Sequence, residues 1–206
     1  MKYKPELIDN AIDDIINERA IGFDLARVSL IYPSKENAEK VANYLLAKGY
    51  YEQYSSLIEM NGHLELNEQF EKVKIKDKAK GYLAIAKFLP YEEMVYCQNK
   101  VIELGSGLDL VNFLLDVKDC SKLKILNAIY EKEDINAIAY VIKYVDDNLY
   151  NKIKSIGLLD KFESLISASK NNFAKNVVLE RKERFNNGRL NSNILDNNKM
   201  NDRIQA

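Results

Sequence analysis

The sequence predicts an all-α protein: an irregular array of short helical hairpins, HEAT-like or bundled, with an extended C-terminal tail. Three observations predict it. From about Pro5 to Arg184, apolar residues recur at spacings of three and four, and short polar breaks separate one stretch from the next. Only 3 prolines and 8 glycines punctuate 206 residues. After Phe185 the chain turns asparagine-rich, and its large aliphatics become few and scattered. The expected division is an all-helical domain over 1–185 and a polar tail over 186–206.

The elements follow in order. Pro5 suits the first helical position, where its missing N–H costs nothing. Leu7, Ile8, Ala11, Ile12, Ile15 and Ile16 then form one apolar stripe that runs to about Arg19. A short segment from about Phe23 to Ile31 ends before Pro33, which biases Tyr32 away from helix. Ser34 caps a helix that buries Val41, Ala42, Leu45 and Leu46, and Gly49 ends it. Tyr50, Tyr54, Leu57 and Ile58 carry the next helix to Asn61-Gly62. That dipeptide is also a hairpin signal, but the preceding spacing is three and four, not two.

Leu66, Phe70 and Val73 mark another helix. In the segment from Glu71 to Gly81, Lys72, Lys74, Lys76, Lys78 and Lys80 alternate with mostly apolar residues. A single short strand would have no partner, so the segment reads as a helix end, a loop and a helix start. Asp77 is placed there as the N-cap of the helix carrying Tyr82, Leu83, Ile85, Ala86 and Leu89. Pro90 opens the next helix, with Glu92 and Glu93 in its positive first turn. Met94, Val95, Val101 and Ile102 face inward, and Gly105 stops it.

Ser106 with Asp109 is a capping-box start. Leu110, Val111, Leu114, Leu115 and Val117 occupy more than one face and predict a central helix. Asp119 or Ser121 starts a helix with Leu123, Leu126, Ile129 and Tyr130. Asp134 caps another, with Ile135, Ile138, Ala139, Val141, Ile142 and Val145. Asp147 precedes a short helix that ends at Gly157. One longer helix, about Leu158 to Arg184, carries Phe162, Leu165, Ile166, Phe173, Val177 and Val178. No repeat period survives along the chain.

Composition bounds the class. Hydrophobic residues at 47% and charged residues at 30% are globular values. No apolar run approaches the roughly 18 residues that span a bilayer, and no membrane partner is expected. The first residues lack the apolar stretch of a signal peptide, so the expected location is intracellular (cytoplasmic) or within a virion. Cys97 and Cys120 sit in different helices with no second ligand at metal spacing, and read as buried thiols in a reducing compartment. Net charge is −1 and favours no partner. The distribution is uneven: from Lys170 to Ala206 there are 8 Lys/Arg against 4 Asp/Glu.

Little in the chain points to chemistry. His63 is the only histidine and falls in a turn, where it reads as a surface or capping residue. The acidic pairs Asp13-Asp14, Glu92-Glu93 and Asp146-Asp147 read as caps, because adjacent helical positions diverge by about 100°. Gly105-Ser106-Gly107 lacks the Gly-Lys-Ser/Thr of a phosphate loop. No cofactor or metal site is expected, and no enzyme. Two basic features remain, the Lys72–Lys80 ladder and the cluster Arg181, Lys182, Arg184 and Arg189. Both are interleaved with carboxylates, and Glu180 stands at helix ion-pair spacing from Arg184.

The function expected is therefore a non-enzymatic interaction or assembly component, such as a structural subunit of a virion or multi-protein machine, or an inhibitor. Other protein subunits are its partners, in a homo- or hetero-oligomer. Its tail docks through Arg184, Arg189, Leu190, Ile194 and Leu195, since peptides that order on binding contribute spaced aliphatic anchors. The alternative is a nucleic-acid-binding helical module using Lys72, Lys74, Lys76, Lys78 and Lys80 with Arg181–Arg189.

Overall fold

A computed structural model of the chain describes residues 12–13 and 34–184, and every element among them is helical. The described chain divides into two compact units, with the boundary between Ile125 and Leu126. The expected helices over 5–19 (apart from Ile12 and Asp13), the Phe23–Ile31 segment with Pro33, and the tail 186–206 lie outside the described residues. Ile12, placed on the apolar stripe by its spacing, is fully buried.

The first unit holds α1 (Lys35–Lys48), α2 (Tyr51–Met60), α3 (Leu66–Lys76), α4 (Ala79–Ala86), α5 (Tyr91–Leu104) and α6 (Gly107–Asp116). Helix α7 (Lys122–Glu131) begins in it. Ser34 Oγ accepts from Asn37 N at 3.1 Å and opens α1. Gly49 closes α1 at φ 77°, a left-handed position that favours a residue without Cβ. Helix α4 is the hub, packing against α2, α3, α5 and α6. Its small residues Gly81, Ala84 and Ala86 are buried, and even Gly81 has room for a methyl group. A Cβ on Gly81 would stand 3.4 Å from Val73 Cγ1 and 3.5 Å from Tyr51 Cε1. Tyr54, Tyr82, Ile85, Cys97, Leu110 and Phe113 fill the core around it.

The second unit takes up the end of α7, then α8 (Ile135–Tyr144), α9 (Asp147–Ser155), α10 (Leu158–Ala168) and a last helix, α11, over 172–184. Asp134 Oδ1 accepts from both Asn136 N and Ala137 N at 3.1 Å and starts α8. Gly157, at φ 72°, turns the chain from α9 into α10. Three contacts lay α11 alongside α8 in the same direction. Asn171 Nδ2 donates to Asn136 Oδ1, the Phe173 ring meets Tyr140, and Arg181 donates to Val145 O. Phe162, Ile166, Ile138 and Val141 fill the core beneath.

Three local readings are corrected, and one is borne out. The single helix from Leu158 to Arg184 is two helices. Ser169 Oγ donates to Ile166 O at 2.7 Å and accepts from Asn171 N, while Asn171 Oδ1 accepts from Ala174 N at 3.0 Å. These short polar side chains compete with the backbone ladder and end one helix as they cap the next. Asp77 is not an N-cap. It closes α3 in the left-handed region at φ 45°, and its Oδ1 accepts from Tyr82 Oη at 2.7 Å. Leu115 and Leu123, counted among inward residues, are exposed, and Ile125 is the buried residue at the start of α7. The capping box of Ser106 and Asp109 forms as its spacing predicts.

Candidate functional site

Among the described residues, the cysteines and the histidine lie on separate elements. Cys97 and Cys120 are free and buried. Burial pushes the Cys97 thiol up to about 12 and raises Cys120 as well, so both stay protonated and poorly nucleophilic at neutral pH. Burial likewise raises the Tyr54, Tyr82 and Tyr150 hydroxyls. His63 is exposed at the turn after α2, where its backbone N donates to Asn61 Oδ1 at 2.9 Å. No group of three His, Cys, Asp or Glu side chains with metal-holding geometry occurs among the described residues. No described helix is long and apolar enough to cross a membrane.

The lysine ladder divides in two. Lys72 Nζ lies 2.8 Å from Glu39 Oε2, and both are half-buried. That ammonium holds the Glu39 carboxyl below its ordinary range. Lys74 pairs with Glu71 at 2.9 Å and stands over the Phe70 and Tyr96 rings. Lys76, Lys78 and Lys80 are exposed and form no ion pair among the described residues. The turn from α3 into α4 spreads these three over a helix end, a linker and a helix start.

The second basic cluster is also divided. Arg181 is only 6% exposed and donates to Val145 O at 3.0 Å and Asp147 Oδ1 at 2.8 Å. Its guanidinium stands 4.8 Å over the Tyr150 ring. Lys182 pairs with Glu163 at 2.6 Å. Arg184 is exposed at the end of α11. Arg189, Leu190, Ile194 and Leu195 lie outside the described residues.

The most distinctive surface feature is one the sequence reading did not single out. Tyr140 and Tyr144 stack at 5.7 Å with their planes 10° apart, and Phe173 from α11 meets Tyr140 at 5.8 Å. Lys143 Nζ sits 5.3 Å from the Tyr144 ring centre and 5.6 Å from that of Phe173. Even so, Tyr144 is 53% exposed and Phe173 42%. The stack of Tyr140 on Tyr144 follows from i, i+4 spacing on one helix and was visible in the sequence. The arrival of Phe173 depends on the α8–α11 pairing and was not.

The first unit carries a different surface, two depressions beside α4 that share Lys87 and Asp116 in their lining and are bordered by residues of α2, α6 and the Lys87–Leu89 turn.

No protein-family model, curated protein or solved structure matches this chain. A functional reading therefore rests on the chemistry of its own residues.

Proposed function

We propose that this protein is a non-enzymatic interaction or assembly component, with a helical body that presents docking surfaces and a tail, 186–206, that engages a partner. The observation that carries the reading is the aromatic cluster of Tyr140, Tyr144 and Phe173, of which Tyr144 and Phe173 are exposed. Tyrosines and other aromatics concentrate binding energy at protein interfaces, because they bring large area at low entropic cost and retain a polar edge. This cluster is held in place beforehand. Asn136–Asn171 secures one end of the α8–α11 pair, and Arg181 secures the other. Such preorganisation lowers the ordering cost of association. A part of this kind suits a virion, a multi-protein machine or an inhibitory complex.

The test replaces Tyr144 and Phe173 together by serine in the full chain. Cross-linking in native material, read by mass spectrometry, should lose the partner peptides joined to α8 and α11 while the melting temperature stays within a few degrees. An unchanged cross-link pattern would rule the reading out.

Lys76, Lys78 and Lys80 support a second reading, a nucleic-acid-binding module. Phosphate contacts would make affinity fall steeply with salt. An oligonucleotide titration at two salt concentrations, with the three lysines changed to glutamine, decides it.

A further inference from the structure

The two depressions on the first unit share Lys87 and Asp116 in their lining, which makes them adjoining halves of a candidate groove. The first, of about 540 Å³, lies over Lys80, Leu83, Ala84 and Lys87 of α4 and the turn after it, between α2 and α6. Those positions recur at three and four and share one side of the helix. The second, of about 790 Å³, continues over Phe88, Leu89, Met94 and Val117. Lys87 and Asp116 line both. From Lys80 to Phe88 a helical rise covers about 12 Å. With the turn beyond, the groove is about 20 Å long, room for six or seven residues of extended chain.

Its chemistry is that of a peptide site. Phe88, Leu89, Met94 and Val117 supply apolar surface at one end and Leu83, Ala84 and Leu108 at the other, where Ser55, Ser56 and Asn112 add hydrogen-bonding groups. Glu52, Glu59, Asp109, Asp116 and Asp119 stand against Lys80, Lys87 and Lys118 around it, so the rim is acidic. Lys87 is already paired with Glu59 at 3.0 Å.

The chain itself carries a segment with the complementary properties. Residues 189–195 read Arg-Leu-Asn-Ser-Asn-Ile-Leu: one cation, three large aliphatics, and three amide or hydroxyl side chains between them. The six residues from 190 to 195 span about 20 Å when extended, with Arg189 beyond them. We propose that the groove receives residues 189–195 of a second copy of this chain, with Leu190 in one depression, Ile194 and Leu195 in the other, and Arg189 against the acidic rim. The contact is heterologous, since the surface given differs from the surface received. Copies joined this way extend head to tail unless the rotation closes a ring. The inference rests on the reading of the chain as an assembly component and names its partner.

Sedimentation of the full chain tests it. Mass should rise with concentration. Leu190→Asp with Leu195→Asp spoils the segment, and Asp116→Lys with Asp119→Lys spoils the rim. Each double variant alone should associate about tenfold or more weakly. Mixed in equal amounts they should pair and stop at two chains, because one intact groove and one intact segment remain. This rescue excludes unfolding as the cause of the single-variant losses. A full chain that stays monomeric at every concentration overturns the inference, as do variants that associate like the unaltered chain or a mixture that fails to pair. Persistence of the Tyr144- and Phe173-dependent cross-links in a monomeric chain would sink self-assembly alone and leave the broader reading standing.

Discussion

Arg181 Nη2 donates to Asp147 Oδ1 at 2.8 Å and joins the start of α9 to the later part of α11, 34 residues away. The same guanidinium donates to Val145 O and covers the Tyr150 ring. A charge so deeply placed depends on its partners, because desolvation is costly wherever a hydrogen bond is missing. Arg181→Ala should destabilise the protein by about 2–4 kcal/mol. Arg181→Lys should recover only part of this, since an ammonium cannot reproduce the planar fork. Urea unfolding of the three proteins measures both. A loss below about 0.5 kcal/mol for Arg181→Ala would mean that these contacts contribute little.

Stability should fall on the alkaline side. The folded state keeps Cys97 and Cys120 protonated above their ordinary range, and the unfolded chain ionises them near their usual values. Unfolding then releases protons, so the stabilisation is complete below about pH 8.5 and declines as pH rises toward about 12 for Cys97. The limiting slope is about 1.4 kcal/mol per pH unit for each thiol. Tyr54, Tyr82 and Tyr150 add to it above about pH 10, by the same sign. Glu39 acts on the acid side, in the opposite sense. Its depressed carboxyl adds stability above the unfolded value, which disappears as pH falls through the folded one. The pair is half-exposed, so that loss stays below about 1 kcal/mol. Melting temperatures from pH 3 to pH 11 test both limbs. A flat profile above about pH 9 would contradict the buried thiols.

Tyr54 donates from Oη to Gln69 Oε1 at 3.2 Å, and both side chains are fully buried. Tyr54→Phe removes the donor and leaves the amide oxygen in an apolar setting. The expected cost is about 1–2 kcal/mol. The double change Tyr54→Phe with Gln69→Leu should cost less than the sum of the singles, because it removes both halves of the bond. Strict additivity in denaturant unfolding would show that the bond carries no coupling.

The capping box opening α6 is reciprocal. Ser106 Oγ accepts from Asp109 N at 3.2 Å, and Asp109 Oδ2 accepts from Ser106 N at 2.9 Å. Ser106→Ala should cost about 1 kcal/mol. Asp109→Ala should cost a similar amount, and the pair again less than the sum. Thermal melts of the three variants check this. His63→Ala, in an exposed turn, serves as the neutral control and should leave the melt unchanged.

Most helix boundaries were legible because their causes are local. Ser34, Ser106, Asp134 and Asp146 each supply an oxygen that accepts a backbone N–H at a helix start. Gly49 and Gly157 supply left-handed turns. The break at Ser169–Asn171 was missed because Ser and Asn are mild helix residues by propensity, and they stop a helix only when their side chains turn back on the backbone. Asp77 was misread for a related reason. An aspartate between two helices has the composition of an N-cap, and only its left-handed φ of 45°, with its N–H donating to Val73 O, shows which helix it closes.

The surfaces divide along the same line. Spacing places Tyr140 above Tyr144, but nothing near position 173 shows that a third ring joins them. Composition marks the Lys72–Lys80 ladder and the Arg181 cluster as alike. Packing distinguishes them, pairing Lys72 with Glu39, burying Arg181 and leaving Lys76, Lys78 and Lys80 exposed.

From its sequence alone this protein is all-α, with helices cut by caps and glycines and a core drawn from positions three and four apart. Those properties arise from neighbours within one or two turns, which the order of residues specifies directly. Tertiary structure decided which side chains remain for a partner. Exposure and pairing depend on residues some 30 positions away, such as Arg181 on Asp147 and Phe173 on Tyr140, and such contacts exist only once the helices have packed.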